Sequence, residues 1–337
     1  MERIVGYSIN ELVYGGIIKI LASGREVSPR GEKTLEITHV CFELTNVDNC
    51  FLFMPKRGNN TAACVAEILW VMAGRNDLNY LKDFLPNCLL FSDNPDSDNP
   101  IWRAGYGIRL RRYGGFLDQI KYVVDCLKRD PYSRQAVISI WNPIEDCYTT
   151  SKDIPCNNWL HFLVRDGKLD CSVAIRSNDL IWGFSAINVQ EWVFLMKLIA
   201  ASIGVQTGEL IVFSDSLHVY ERHFEKINEI IKNRIDFPYS KYEFYDFDFE
   251  YGNTFDRYLT EYFYMVEAAK NGIPIDHYLD LVSETLLPFF LLPCMYLYKK
   301  RDMKEYAISL MKSIPSDHIM YPTAELMLGL KTFQDFI

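Results

Sequence analysis

The chain has 337 residues, of which 49% are hydrophobic and 23% are charged, as in an ordinary globular protein with a large core. Its formal net charge of −9 argues against a nucleic-acid-binding protein, which usually carries a basic patch or stripe. The nine cysteines are scattered without CxxC spacing, so we expect a reducing, cytoplasmic setting rather than a disulfide framework. The polar segment after Met1 predicts no signal peptide.

The first part of the chain predicts an extended region followed by helices. Residues 8–55 read as mainly extended, with a strand over 34–44 that follows a glycine turn carrying Arg30. Apolar residues at helical spacing predict a helix over 60–74, with Glu67 in its middle. A second, short helix is expected over 78–84.

The middle of the chain alternates turns, strands and helices. A polar loop is expected over 93–100, helices over 116–127 and 189–203, and strands over 136–141, 160–164, 171–175 and 209–213.

The composition changes after about residue 241, where tyrosine- and leucine-rich helical patterns begin. They predict helices over 255–270, 279–287 and 304–312. The apolar run 286–298 is too short and too broken by prolines to span a bilayer, and a kinked pair of buried helices explains it better. We therefore divide the chain into a main body, 1–245, and a helical C-terminal extension packed on it, 246–337.

Cys156 is the first candidate for chemistry. It follows a proline and precedes two asparagines, which argue against an apolar burial site. A lone cysteine is more often an inert core residue than a nucleophile. A nearby guanidinium such as that of Arg176 can lower the pKa of the thiol and supply the thiolate that nucleophilic attack requires.

Arginines provide candidate anion-binding groups. Arg176 and Ser177 offer a guanidinium fork and a hydroxyl together, which suits a phosphate, although a surface salt bridge is the simpler interpretation of either alone. Arg134, in the turn after Asp130, and Arg30 are two more candidates. Their spacing along the chain does not show that they converge.

Three further positions suggest a binding site. Glu67 in an apolar helix must be paired, protonated or in contact with site water. Asn188 presents a donor and an acceptor that can read a pyrimidine edge or cap the following helix. His218 and Tyr220 lie two apart at a strand end and suit a sugar hydroxyl; with no third ligand beside them, we expect no metal site.

Taken in order, these residues resemble the thymidylate synthase family over about residues 25 to 225. The resemblance implies an α+β fold, with a large twisted mixed sheet, flanking helices and a second subunit packed on the back of the sheet. The segments that carry it are Arg30, Ala66–Gly74, Gly105-Tyr106-Gly107, Asp130–Arg134, Pro155-Cys156, Arg176-Ser177-Asn178-Asp179, Asn188 and Asp215–Tyr220.

The resemblance also implies a role for each residue. Cys156 would be the nucleophile, Asn188 would read the base and Glu67 would order the water that relays protons at the base. Tyr106 and Arg176 would complete the catalytic group. The groups that bind the phosphate and sugar of the nucleotide would be Arg30, Arg176, Ser177, Asn178, His218 and Tyr220. Arg134 would reach the same site from the partner subunit of a homodimer. Asp179 and Phe91 would lie beside the co-substrate 5,10-methylenetetrahydrofolate.

Several positions depart from the family pattern. Asn157 replaces the histidine usual after the cysteine, Gln135 replaces a second arginine, and the segment before Asn188 is one residue longer than usual. The short apolar C-terminus of synthases is replaced by the helical tail. Several of these departures fall where a synthase of the family keeps water away from its intermediate.

These departures favour a hydroxymethylase, in which water rather than hydride attacks the nucleotide. We expect 5-hydroxymethylation of a cytidylate, CMP or dCMP. The alternatives are a thymidylate synthase that methylates dUMP and a non-catalytic nucleotide-binding protein. Asn188 leaves cytosine and uracil open, because its amide suits either base when it is turned over.

Overall fold

The computed structural model describes residues 2–147 and 150–336. Its strands are β1 (Glu2–Gly6), β2 (Arg25–Val27), β3 (Thr34–Leu44), β4 (Val137–Ser139), β5 (Asn157–Arg165), β6 (Lys168–Ile175), β7 (Asn178–Asp179) and β8 (Gln206–Tyr220). Its α-helices are α1 (Ile9–Ser23), α2 (Thr61–Met72), α3 (Leu78–Leu81), α4 (Tyr106–Arg111), α5 (Gln119–Arg129), α6 (Pro143–Asp146), α7 (Val189–Ile203), α8 (Phe224–Lys232), α9 (Asn253–Lys270), α10 (Leu287–Lys300), α11 (Lys304–Met311) and α12 (Met320–Leu328).

The strands of the described residues form one mixed sheet of eight strands, in the order β1-β3-β8-β6-β5-β4, with β2 beside β3 and β7 beside β8. The pairs β1–β3 and β6–β8 are parallel, whereas β3–β8 and β5–β6 are antiparallel. Helices flank this sheet, so the predicted α+β class is confirmed.

The prediction of an extended segment over 8–55 is wrong in its first part, where α1 forms. Ser8 caps this helix by accepting a hydrogen bond from the Glu11 N–H, and the Glu11 carboxylate accepts from the Tyr7 N–H at 2.8 Å. These two reciprocal bonds satisfy backbone donors at the helix start. The apolar residues of α1 also fit helical spacing, and they pack on β1 and β3.

Strand β8 extends well beyond the predicted 209–213. Its polar middle, Ser214 to Ser216, stays in the sheet because β3 pairs with it from Leu210 to Tyr220. On the other side β6 and then β7 pair with it in parallel. Backbone pairing on both edges thus overrides the low strand propensity of these side chains.

The region after residue 246 is helical, but its middle differs from the prediction. Residues 276–281 form a short 3-10 helix, and 287–300 form a single α-helix instead of a kinked pair. Pro288 lies in the first turn of α10, where its missing N–H costs nothing, and Pro293 is tolerated inside a helix buried on all sides.

The C-terminal helices share the core of the main body. Phe289 of α10 packs against Phe51 and Phe194, with ring centroids 6.1 and 5.5 Å apart. The hydroxyl groups of Tyr80 on α3 and Tyr262 on α9 are hydrogen-bonded to each other at 2.6 Å. The division of the chain near residue 245 stays a prediction.

Residues Leu180–Ile203 form the one described helix that is long and apolar enough to cross a membrane. Its most apolar window is 78% buried inside the structure. A core helix of a globular fold has the same length and composition.

Candidate active site

Arg176 fixes the backbone that carries Cys156. Its Nε donates to the Pro155 carbonyl at 2.9 Å and its Nη2 to the Ile154 carbonyl at 3.2 Å. Its backbone N–H donates to the Cys156 carbonyl at 3.0 Å. The guanidinium carbon lies 5.6 Å from the centre of the Trp141 ring, within reach of a cation–π interaction. Arg176 therefore positions the cysteine as well as placing a positive charge beside it.

The thiol of Cys156 is half-buried and unpaired. Burial raises its pKa, while the positive charges of Arg176 and Arg30 lower it and the carboxylate of Asp179 raises it. Arg30 reaches this position from a turn in which it adopts a left-handed backbone, with φ of 55°, which is uncommon outside glycine. Such strain is concentrated at functional sites. The structure thus brings Arg30 and Arg176 to the same thiol.

Asn157 links two aromatic residues behind the cysteine. It is fully buried; its Nδ2 donates to the Tyr106 hydroxyl at 2.7 Å, and its Oδ1 accepts from Trp192 Nε1 at 3.2 Å. The rings of Tyr106 and Trp192 stack with centroids 5.7 Å apart. Gly107 allows α4 to approach α2 closely, because a Cβ there would lie 2.7 Å from the Val71 carbonyl oxygen. Asn157, which replaces the usual histidine, therefore holds the Tyr106 side chain in the core by hydrogen bonding.

Residues 180–188 form a π-helix. An extra residue in a helix is accommodated by this wider winding, which is frequent at functional sites. We expect this winding to accommodate the additional residue predicted before Asn188. The Asp179 carboxylate caps its first turn, accepting from the Ile181 and Trp182 N–H groups at 2.9 and 3.1 Å. The buried guanidinium of Arg57 donates to the Ile181 carbonyl and the Ser185 hydroxyl.

Asn188 does not act as a helix cap. Its backbone is helical, with φ of −61° and ψ of −42°, and its side chain makes no capping hydrogen bond. Its Nδ2 lies on the same side of Gly183 as Asn178 Oδ1, a buried oxygen without a partner among the described residues. Asn178 Nδ2 donates to the Ser214 hydroxyl at 2.6 Å. The amide of Asn188, a residue that is 7% exposed, thus has no part in capping α7.

His218 and Tyr220 lie on one side of β8, as expected. Their rings meet edge to face with centroids 5.2 Å apart, and Asp179 is the strand partner of His218. Burial lowers the pKa of His218, which favours the neutral ring. His218 Nδ1 lies 3.3 Å from the Ser216 hydroxyl. A neutral imidazole with one nitrogen engaged leaves its other nitrogen for a hydroxyl ligand.

Glu67 is half-buried on α2, and desolvation raises its pKa to about 8. A second carboxyl, that of Glu191, lies close by on α7 and is only 1% exposed. Burial, and then the charge of Glu67, raise the pKa of Glu191 well above its ordinary value. The site thus contains two carboxyls that favour their protonated forms.

Two predicted residues are not drawn into this cluster. Arg134 is exposed in its turn and Phe91 is 49% exposed at the end of a 3-10 helix. The loop after Phe91 does contact the segment before the nucleophile, because the Ser151 hydroxyl donates to the Asp93 carboxylate at 2.7 Å. Ser177 is half-buried beside Arg176. The assigned roles of all these residues stay predictions.

The family assignment follows from a match that spans this site. Residues 14–266 match the model of the family described as thymidylate synthase, which includes Arg30, Cys156 and His218. The chain belongs to the thymidylate synthase family. The match ends 21 residues past residue 245, inside α9, so the first of the C-terminal helices is within it.

Similar curated proteins carry a more specific name. A "Deoxyuridylate hydroxymethyltransferase" of Bacillus phage SP01 is 38% identical over 224 residues, which are 63% of this chain and 57% of that protein. Proteins of the same name from Pseudomonas phage M6 and Delftia phage PhiW-14 are 34% and 28% identical, over 52% and 68% of this chain and 49% and 65% of their own lengths. The chain thus spans about half to two thirds of these relatives, whose name does not support a cytidylate substrate.

Sequence reasoning missed Arg57, which secures the π-helix, and Glu191. Glu191 had the signal that identified Glu67, an acidic residue in a strongly apolar helix. It also lies one turn after Asn188 and so on the same helix face. Arg57 had only the signal of a charge next to an apolar segment, which is common on protein surfaces.

Proposed function

We propose that this protein transfers a one-carbon unit to carbon 5 of a pyrimidine nucleoside 5′-monophosphate, and that its substrate is deoxyuridylate and its product the 5-hydroxymethyl nucleotide. The observation that carries the proposal is that Arg176 holds the backbone next to Cys156 and that the positive charges of Arg176 and Arg30 both act on its thiol. Two guanidinium groups next to one nucleophile suit an anionic substrate that must also be attacked covalently. The name of the similar phage proteins supports the choice of base and product.

The proposed chemistry begins at Cys156. Carbon 5 of a pyrimidine is a poor nucleophile, and addition of the thiolate at carbon 6 turns it into an enolate-like centre. Methylenetetrahydrofolate supplies the one-carbon unit when it is bound. The exposed indole of Trp182 in the π-helix, 51% exposed, fits a flat heterocycle of this kind.

Asn188 is the proposed reader of the base. Uracil presents a donor at ring nitrogen 3 and an acceptor at the carbon-4 oxygen, and a side-chain amide offers the complementary pair. Since the amide makes no capping bond, this pairing costs no helix stability. This proposal replaces the expected cytidylate with a uridylate.

Water is the proposed final nucleophile. Asn157 is turned into the core and bound to Tyr106 and Trp192, so it places no imidazole in the cleft. Glu67 is half-buried and has a raised pKa, which suits a group that gives and takes a proton near neutral pH. A thymidylate synthase, in which hydride instead of water reacts with the exocyclic methylene, would need water to be excluded from the same space.

One assay tests the proposal. The protein is incubated with methylenetetrahydrofolate and dUMP, UMP, dCMP or CMP, and the products are weighed by mass spectrometry. We expect addition of CH₂O to dUMP with release of tetrahydrofolate. Addition of a methyl group with formation of dihydrofolate would instead identify a thymidylate synthase. Product from CMP or dCMP alone would contradict the uridylate proposal, and Cys156→Ser is the matched inactive control.

A homodimer that shares Arg134 across its interface is also proposed. Arg134 is exposed in the single chain, as a residue that serves the partner's site would be. The test mixes Arg134→Ala with Cys156→Ser, each inactive alone. If Arg134 acts in the partner's site, exchange of subunits restores about one quarter of the activity. No restoration despite proven subunit exchange would contradict the shared site.

A further inference from the structure

The carboxyl of Glu191 has no role in the proposed chemistry, yet it is buried in the helix that follows Asn188. It lies in the first turn of α7, three residues after Asn188, and α7 packs against the helix that carries Glu67. Residues three apart on a helix share a face. Asn188 and Glu191 are therefore presented together to the region of Glu67.

The surroundings of Glu191 favour a neutral, protonated carboxyl over a carboxylate. Its side chain is 1% exposed, and its Oε1 has no hydrogen-bond partner among residues 2–147 and 150–336. A buried carboxylate with an unsatisfied oxygen is costly, whereas a protonated carboxyl requires fewer donors. No described arginine or lysine pairs with it, in contrast to Glu325, which lies 2.9 Å from Lys331.

The other titratable groups around the pair are neutral as well. Cys64 on α2, Cys88 in the nearby 3-10 helix and Tyr106 on α4 all respond to the charge of Glu67 or Glu191. Burial raises the pKa of each, that of Cys88 to about 11. Around neutral pH the pair is therefore surrounded by uncharged groups.

Arg57, a buried cation that acts on Cys64, is engaged by the π-helix. Arg57 acts on Cys64 electrostatically, but its guanidinium donates to the Ile181 carbonyl and the Ser185 hydroxyl of the π-helix. When Glu67 loses its proton, the new charge acts on the neutral carboxyl of Glu191, which α7 carries against α2.

We propose that Glu191 is a positioning residue: a neutral carboxylic acid that donates a hydrogen bond to the Glu67 carboxylate whenever that carboxylate forms during turnover. The inference rests on the proposed hydroxymethylation and deepens it. A buried donor of this kind stabilises a transient negative charge that would otherwise lack solvation.

The proton balance shows when this donor is needed. As the Cys156 sulfur bonds to carbon 6, Glu67 gives its proton through water to the carbon-4 oxygen and becomes a carboxylate. When carbon 5 bonds to the one-carbon unit, the carbon-4 carbonyl re-forms and its proton passes through water to the first folate nitrogen released from that unit. Carbon 5 then loses its proton to the second folate nitrogen as the bond between this nitrogen and the one-carbon unit breaks, which frees tetrahydrofolate and leaves the exocyclic methylene. In the last steps, water bonds to the exocyclic methylene carbon of the nucleotide and loses its proton to Glu67, while the electron pair moves onto the carbon-4 oxygen. The carbon-4 carbonyl then re-forms, the carbon 5–carbon 6 double bond closes and the thiolate leaves. Glu191 keeps its own proton throughout.

Three variants test the inference. Glu191→Gln keeps a neutral donor, whereas Glu191→Leu and the unbranched Glu191→Met remove it at similar volume. We expect Glu191→Gln to retain hydroxymethylation within about tenfold, and the donor-free variants to lose about 100-fold. Glu325→Gln, which removes a buried glutamate of α12, is the matched control and should leave the rate unchanged.

A second readout works on the free protein and needs neither nucleotide nor folate. Infrared spectroscopy follows the protonated carboxyl band, which shifts in D₂O, as pH is raised through the Glu67 titration near pH 8. Loss of the donor should move this titration upward by about one pH unit or more, a factor of ten in the ionisation constant. Glu191→Gln should leave it in place.

The outcomes separate this inference from the proposed function. Unchanged titration in both donor-free variants, or loss of activity in Glu191→Gln as large as in Glu191→Leu, would overturn the role of Glu191. If the unaltered protein modifies no pyrimidine nucleotide, the proposed function fails, and the infrared titration alone then decides whether Glu191 stabilises the Glu67 carboxylate.

Discussion

The backbone N–H of Arg176 donates to the carbonyl oxygen of Cys156 at 3.0 Å, and its guanidinium holds the two residues before the cysteine. One side chain thereby both shapes the loop of the nucleophile and lowers the pKa of its thiol against the effect of burial. Positioning and activation of Cys156 cannot be altered separately at this residue.

Replacing Arg176 by glutamine should slow the reaction of Cys156 with iodoacetamide near neutral pH, because loss of the positive charge raises the pKa of the thiol. We expect the alkylation profile to move to higher pH and kcat/KM for the nucleotide to fall about 100-fold or more. The control is Arg165→Gln, at the far end of β5. An unchanged alkylation profile in Arg176→Gln would show that Arg176 does not act on the thiol.

Replacing Glu67 by glutamine should remove a pH dependence of stability. The pKa of Glu67 is about 8 in the folded protein against an ordinary 4.5, so the folded state holds a proton that the unfolded state releases between these values. The free energy of unfolding should therefore decrease as pH rises through this window, by a few kcal/mol at roughly 1.4 kcal/mol per pH unit. Urea unfolding at several pH values measures the slope, which should be smaller in Glu67→Gln.

Replacing Asn157 by alanine should destabilise the fold by about 2–4 kcal/mol, because the Tyr106 hydroxyl and the Trp192 indole N–H lose their buried partner. Thermal or urea unfolding measures this change. Asn158→Ala is the matched neighbour, since its buried Oδ1 has no partner among the described residues. Equal destabilisation by the two substitutions would argue against the linking role of Asn157.

Replacing Asn188 by aspartate should shift base preference from uracil towards cytosine. Ring nitrogen 3 of cytosine is basic enough to share a proton with the new carboxyl, which then also accepts from the cytosine amino group, whereas the weakly basic carbon-4 oxygen of uracil faces an ionised carboxylate and repels it. We expect kcat/KM for dUMP to fall about 100-fold, with a relative gain for dCMP, measured by competition between the two nucleotides. A uniform loss for both bases would mean that Asn188 does not read the base.

Much of the fold was predictable from local patterns. The apolar periodicity before Gly204 gave the bounds of α7, and alternating residues gave β3. The helix α1 was missed because a segment rich in β-branched and aromatic residues resembles a strand until the Ser8 and Glu11 capping bonds are considered. The single helix α10 was missed because two prolines suggest a break that burial on all sides overrides.

The sequence by itself singled out candidate residues for the chemistry and their order along the chain, since Cys156, Arg176 and Asn188 were chosen from residue type and from the resemblance to a known family. Only the tertiary structure decided what each side chain faces. Asn157 proved to be bound to Tyr106 and Trp192, Asn188 to be free of capping, and Glu191 to lie beside Glu67. The physical reason is that hydrogen-bond partners and desolvation come from elements far apart in the chain, so they exist only once those elements are packed together.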